Sequence, residues 1–157
     1  MLTRMGVVLF QREPIGSLWP ELLPLARDHW REVRWDPDSE ADLDQEKLAG
    51  ADEAGAFCLF TARQDGELIG YAAFWIAHHP QNASSLEASA DAIYLRPDRR
   101  HGRNGIELIK YADQALQAMG VRKVYQTVRH NARDFGPVLE RLGYQSTETI
   151  YARKLAP

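Results

Sequence analysis

The 157 residues contain one cysteine, Cys58, which excludes an intrachain disulfide framework. Its neighbours Phe57 and Leu59 are apolar, the setting of a buried structural thiol. Long apolar runs are also missing. None approaches the roughly 20 residues that a membrane helix needs, so no membrane partner is expected. The first residues, MLTRMGVVLFQRE, hold too short an apolar stretch for a secretory signal, and no small-residue cleavage site follows. A cytoplasmic location is expected by elimination. Positive charge is not in excess: the formal net charge is -3 at pH 7, which gives no global electrostatic case for nucleic acid. Repeats and low-complexity segments are absent. So are two familiar phosphate loops, G-x-x-x-x-G-K-S/T and G-x-G-x-x-G in a first strand–helix unit.

What remains is an ordinary globular balance, 45% hydrophobic and 26% charged, in a length that suits one domain spanning residues 1–157. Gly6 to Gln11 suits a first strand. A helix is expected from Ser17 to about Val33, with Leu18, Leu22, Leu25 and His29 on one stripe and Trp19, Leu23, Ala26 and Trp30 beside it. Pro20 and Pro24 fall inside it, so its start is uncertain by pattern alone. Asp42 to Ala54 forms a second, acidic helix, closed by Gly55. Phe57 to Arg63 and Leu68 to Ala77 form a hairpin about the Asp65-Gly66 turn. His78 to Asn82 is expected as a loop. Leu86 to Leu95 is a third strand, with Leu86, Ala88, Ala90, Ala92 and Tyr94 on one face and Glu87, Ser89, Asp91, Ile93 and Leu95 on the other. A helix over Ile106–Met119, a strand over Lys123–Val128, a short helix over Phe135–Leu142 and a last strand over Thr147–Lys154 complete the chain. The order gives an α/β fold around one mixed, mostly antiparallel sheet flanked by about four helices.

The segment Tyr94 to Asp113, YLRPDRRHGRNGIELIKYAD, carries the chemistry. A strand ends, a loop with Gly102, Gly105, Arg99, Arg100 and Arg103 follows, and a helix starts at once. Glycines let a backbone curl around a ligand. Free N–H groups at a helix start point into that curl, and the helix dipole adds about half a positive charge. Such an arrangement suits a phosphate or pyrophosphate.

This segment resembles the acetyl-CoA loop of the GNAT family of N-acetyltransferases, Q/R-x-x-G-x-G/A after a Pro-acidic pair. Leu95-Arg96-Pro97-Asp98 is the lead-in. Arg100 to Gly105 matches the first and last motif positions, with Arg103 in place of the fourth-position glycine. Counted from Arg99, Gly102 matches and Asn104 takes the final position. Asn131 followed by a short helix and Leu142-Gly143-Tyr144 is similar to the family's late N…LGF segment. The resemblance implies acetyl-CoA as co-substrate and direct transfer of an acetyl group to an amine, on a small molecule or a peptide. It implies that the main chain of Ile93, Tyr94 and Leu95 holds the pantetheine arm. It implies further that the N–H groups of Arg100, His101, Gly102, Arg103, Asn104 and Gly105 hold the pyrophosphate, and that Asn131 touches the cofactor. No metal is expected, and a homodimer is compatible with the family.

Acyl transfer to an amine needs a base to deprotonate the ammonium and a donor for the acyl oxygen. Glu87 and Asp91 are the candidate bases, acting directly or through water. His78 and His79 are further candidates near the hairpin end. The family's usual tyrosine acid falls at Leu139, which has no proton to give. Acceptor contacts are expected from His29, Trp30, Trp35, Trp75 and the His78–Asn82 loop. A non-catalytic acyl-CoA-binding module is the alternative that Leu139 keeps open.

Overall fold

A computed structural model describes residues 6–157. The first strand, β1, is Val8–Arg12; α1 is Ile15–Val33 and α2 is Gln45–Glu53. β2 (Phe57–Gln64), β3 (Glu67–His79) and β4 (Asn82–Leu95) follow, then a single 3-10 turn at Pro97–Arg99. α3 (Asn104–Ala118), β5 (Lys123–Tyr125) and α4 (Gly136–Arg141) complete the order. Among the described residues the strands form one sheet in the order β1-β2-β3-β4-β5, antiparallel except for the parallel pair β4–β5. The α/β fold and its mostly antiparallel sheet agree with the sequence reading.

Alternation along β2 and β3 builds two cores, one on each face. Phe57, Leu59, Tyr71 and Ala73 point to α1 and meet Ile15, Leu18, Leu22 and Ala26. Cys58, Phe60, Ala72 and Phe74 point to α3 and meet Leu108, Ala112 and Leu116. The spacing of those helical residues is the stripe that a half-buried helix needs. Cys58 is fully buried, and burial pushes its thiol up to about 11.

α1 begins two residues before the expected Ser17, because its first free N–H is answered from far away. The Asp52 carboxylate of α2 accepts from Ile15 N at 2.9 Å. A partner 37 residues distant is invisible to a local cap rule.

β4 departs from the expected alternation. It pairs with β3 as Ala73↔Ala92 and then Phe74↔Ala90, so Asp91 is an extra residue in the ladder. This β-bulge switches the faces. Ala88, Ala90 and Ile93 pack on the α3 side, whereas Ala92 and Tyr94 pack on the α1 side. The expectation of one face for Ala88 to Tyr94 is corrected accordingly.

Three further expectations are corrected. His78 and His79 lie in β3, not in a loop; the turn is Pro80-Gln81 and β4 starts at Asn82. β5 ends at Tyr125 rather than Val128, since its pairing with β4 stops at Ser89↔Tyr125. Thr147–Lys154 forms no strand: Ile150 and Tyr151 are 73% and 92% exposed, and among the described residues no strand pairs with them to complete a ladder. Lys154 instead reaches Asp36 and Asp38 of the α1–α2 connection. No described helix is long and apolar enough to cross a membrane.

Candidate active site

β4 and β5 part company after Ser89 and Tyr125, just where Asp91 bulges. The gap between them opens a cleft of about 710 Å³. Among the described residues no strand pairs with β4 on its β5 side beyond Ser89, which leaves those main-chain groups open to a ligand. Ile93, Tyr94 and Leu95 line the cleft on this side, Gln126, Thr127 and Arg129 on the other.

At one end stands the start of α3. Its N-cap, Arg103, supplies no side-chain hydrogen bond, so the first N–H groups of the helix keep their donors free. Gly102 adopts φ +69, a conformation natural to glycine, and an added Cβ there would meet nothing within 4 Å. At Gly105 an added Cβ would meet only Leu95 Cδ1, at 3.6 Å. Protein packing therefore does not fill this curl. Gly102 and Gly105 both line the cleft.

The other loop residues point elsewhere. Arg100 donates through Nε to Leu95 O at 2.8 Å and grips Glu32 with both terminal nitrogens. Its guanidinium lies 5.3 Å from the Tyr94 ring centre. Arg103 pairs with Glu107 one turn along α3, His101 is exposed outside the cleft lining, and the Asn104 amide caps Arg99 O. Asn131 donates to the carbonyls of Val33 and Arg34, tying the segment after β5 to the end of α1.

At the bulge, Asp91 lines the cleft and accepts from Trp75 Nε1 at 3.2 Å. Glu87 does not line it. Its carboxyl accepts from Ser85 Oγ at 3.0 Å and pairs with Lys123 at 3.4 Å. Burial opposes its ionisation, but those two partners outweigh burial and hold it below the usual carboxylate range. His78 is exposed at the end of β3, away from the cleft. Trp30 lines the cleft, with its Nε1 donating to Ser39 O at 3.2 Å. Leu139 is buried, and the Tyr144 hydroxyl donates to Asp113 at 2.5 Å, outside the cleft lining.

Several cleft residues were not singled out by the sequence. Glu32 and Glu40 bring carboxylates from α1 and the connection after it, beside Asp42, which the sequence places in the acidic second helix and the structure places just before it. The side-chain amide of Gln126, just past β5, is buried with neither Nε2 nor Oε1 partnered. A Gln after a short strand gives no local signal of this kind; only the divergence of the strands explains it.

The profile of the acetyltransferase (GNAT) family matches residues 19–144. The chain belongs to this family. GNAT membership makes it an acetyltransferase, and the fold of solved GNAT proteins agrees over nearly the whole chain. No curated protein matches it in sequence. An aminoglycoside acetyltransferase from an uncultured soil metagenomic sample, solved with sisomicin, superposes with a TM-score of 0.74 at 14% identity, covering 95% of this chain and 97% of that one. The aminoglycoside N-acetyltransferase AAC(6')-Iy in complex with CoA gives 0.73 at 21% identity over 99% and 100%. The ribosomal-protein-alanine N-acetyltransferase of Brucella melitensis biovar Abortus 2308 gives 0.74 at 16% identity over 96% and 100%. These likenesses establish the GNAT fold; the first two neighbours act on aminoglycosides and the third on a protein.

Proposed function

We propose that the protein binds acetyl-CoA along the gap between β4 and β5 and transfers its acetyl group directly to a cationic amine. The observation that carries this reading is one continuous cleft. It joins unpaired β4 main chain to a glycine-lined, uncapped helix start at one end and to carboxylates at the other.

The residues present fit such a co-substrate. The open curl at Gly102 and Gly105 has room and donors for the pyrophosphate. The main chain of Ile93–Leu95 and the orphaned Gln126 amide offer partners to the amides of the pantetheine arm. Arg100 serves as a brace for this wall rather than as a free phosphate ligand, because Glu32 and Leu95 O already occupy its donors. Asn131 serves likewise as a brace between the segment after β5 and α1.

When bound, acetyl-CoA supplies an activated acetyl thioester and a thiol leaving group. Asp91 takes the proton from the incoming ammonium, directly or through one water, and Trp75 Nε1 orients its carboxylate. A β4 main-chain N–H near the bulge donates to the acyl oxygen, a contact worth roughly 3–4 kcal/mol in comparable sites. Glu40, Asp42 and Asp91 attract the positive charge of the acceptor. Glu87, held ionised by Lys123 and Ser85, belongs to the framework of β4 and β5. With Leu139 at the position of the family's tyrosine, the leaving thiolate takes its proton from solvent.

The testing experiment is calorimetric titration of acetyl-CoA into the wild type and into a Gly102→Glu, Gly105→Glu variant. Micromolar binding by the wild type, lost in a variant with an unchanged circular dichroism spectrum, is the expected result. A wild type that does not bind acetyl-CoA overturns the reading.

A further inference from the structure

One cleft residue has a hydrogen-bond role that its surroundings fix. His29 lies near the end of α1, half-buried, with its ring in the cleft wall. Its Nδ1 is 3.2 Å from the hydroxyl of Tyr71, a residue of β3 that is 3% exposed. Among the described residues that hydroxyl has no other partner. A buried hydroxyl hydrogen is donated to whatever acceptor it can reach. Among the described residues the acceptor in reach is Nδ1, and a hydroxyl that donates to it requires the imidazole hydrogen on Nε2.

The ring cannot turn to exchange these roles cheaply. It stacks on Tyr94 with centres 5.0 Å apart and meets Tyr71 edge-on at 6.0 Å. Tyr94 is covered in turn by Arg100, which Glu32 holds from α1 itself. Burial lowers the imidazole pKa to about 4; Glu32 on α1 opposes this, while Arg129 after β5 and Arg100 after β4 add to it. The ring is neutral at neutral pH, and Nε2 finds no protein partner among the described residues.

We propose that His29 presents Nε2–H to the cleft as a fixed donor, and that the amine acceptor carries a hydroxyl or carbonyl oxygen that receives it. The inference rests on the acetyltransferase reading above and narrows its acceptor class. The carboxylates nearby can hold an ammonium but, as acceptors only, cannot donate to an oxygen. His29 supplies the complementary group, from the α1 side of the sheet, where Trp30, Tyr71 and Tyr94 also line the cleft. An amine with an oxygen close by, as in an amino sugar or an amino alcohol, satisfies both kinds of group at once. A plain alkyl polyamine leaves the donor unanswered. His29 is a specificity residue in this proposal, with Tyr71 as its positioning residue.

The test uses ethanolamine and propylamine, which differ by a hydroxyl for a methyl group. Thiol release is followed at saturating acetyl-CoA for the wild type, His29→Ala and Tyr71→Phe. The wild type is expected to favour ethanolamine in kcat/KM by about tenfold, the worth of one net hydrogen bond. His29→Ala brings that ratio to about one without changing the acetyl-CoA Kd. Heteronuclear NMR of the imidazole nitrogens gives a second readout that needs no turnover. It should show His29 neutral with its hydrogen on Nε2, mixed tautomers in Tyr71→Phe, and a shift of the His29 signals on adding ethanolamine to the CoA-loaded protein. An Nδ1–H tautomer, equal use of both amines, or a preference that survives His29→Ala overturns the proposal. So does acetyl-CoA binding with neither turnover nor a ring shift for either amine, an outcome that leaves the cofactor reading standing. Loss of acetyl-CoA binding by the wild type is a separate failure, that of the underlying reading.

Discussion

Arg100 and Glu32 meet in a two-pronged ion pair, with contacts of 2.8 and 2.6 Å, that joins the loop after β4 to the last turn of α1. The pair sits at a junction: one helix brings acceptor-side groups, and the loop leads to the cofactor curl. Lysine cannot copy this contact, because a single ammonium cannot grip a carboxylate with a fork while also donating to Leu95 O and covering Tyr94. Arg100→Lys is expected to lower stability by about 1–3 kcal/mol in urea unfolding and to weaken acetyl-CoA binding severalfold. An unchanged unfolding midpoint would show that the pair is not a brace.

The two acidic residues of β4 should separate cleanly. Asp91→Asn is expected to lower kcat by about 10²–10⁴-fold while leaving the acetyl-CoA Kd in place, as befits loss of a general base. Glu87→Gln is expected to keep turnover within a few-fold of wild type and to lose stability instead. Steady-state kinetics beside thermal unfolding checks both, and the reverse pattern would exchange their roles.

His29 makes stability depend on acid. Its folded pKa of about 4 lies below the ordinary 6.5, so the unfolded chain binds a proton first as pH falls. Stability is therefore full above 6.5 and declines between 6.5 and about 4. The pKa difference corresponds to about 3 kcal/mol over that window. Glu13 acts lower: Arg63, its largest influence, holds its carboxyl at about 2, so its contribution is present above the ordinary 4.5 and is lost as pH falls through 2. Denaturant unfolding across pH should show the first decline in the wild type and a flatter profile in His29→Gln.

Cys58 should be silent toward thiol reagents. Buried, with its thiol pushed up to about 11, it carries almost no thiolate at neutral pH. A disulfide reagent should titrate no thiol in the folded protein and one after denaturation. The same silence allows released coenzyme A thiol to be counted without background.

Much of this architecture is legible in the chain. The Asp65-Gly66 turn sets a hairpin, and Asp65 and Gly66 do take positive φ there. The α1 stripe and the glycines of the loop before α3 lie where period and punctuation put them. What local pattern could not supply is long-range pairing. Asp52 caps α1 from α2, Glu32 claims Arg100, and Asn131 fastens to Val33 and Arg34 rather than lining the cleft. Thr147–Lys154 has the alternation of a strand, yet alternation only describes a face, and a ladder needs a neighbour. Trp30, Asp91 and the Ile93–Leu95 main chain converge in space, but Glu87 and His78 do not join them, since neither residue type nor strand position reports which part of β4 lies beside the gap.

The extra residue in β4 gives the cleft an unusual kind of robustness. The opening is written as a count of residues, not as an identity: one more on β4 than on β3 throws the pleat out of phase, and the alanines before and after it serve opposite layers. Substitutions along the walls will tune what the gap admits. Deleting Asp91 would put the strand back in phase: Ala92, Ile93 and Tyr94 would keep their partners and faces, while the bulge and the carboxylate it aims into the cleft would both be lost. The enzyme should thus tolerate many point changes around its active site and be acutely intolerant of one frame-preserving codon loss.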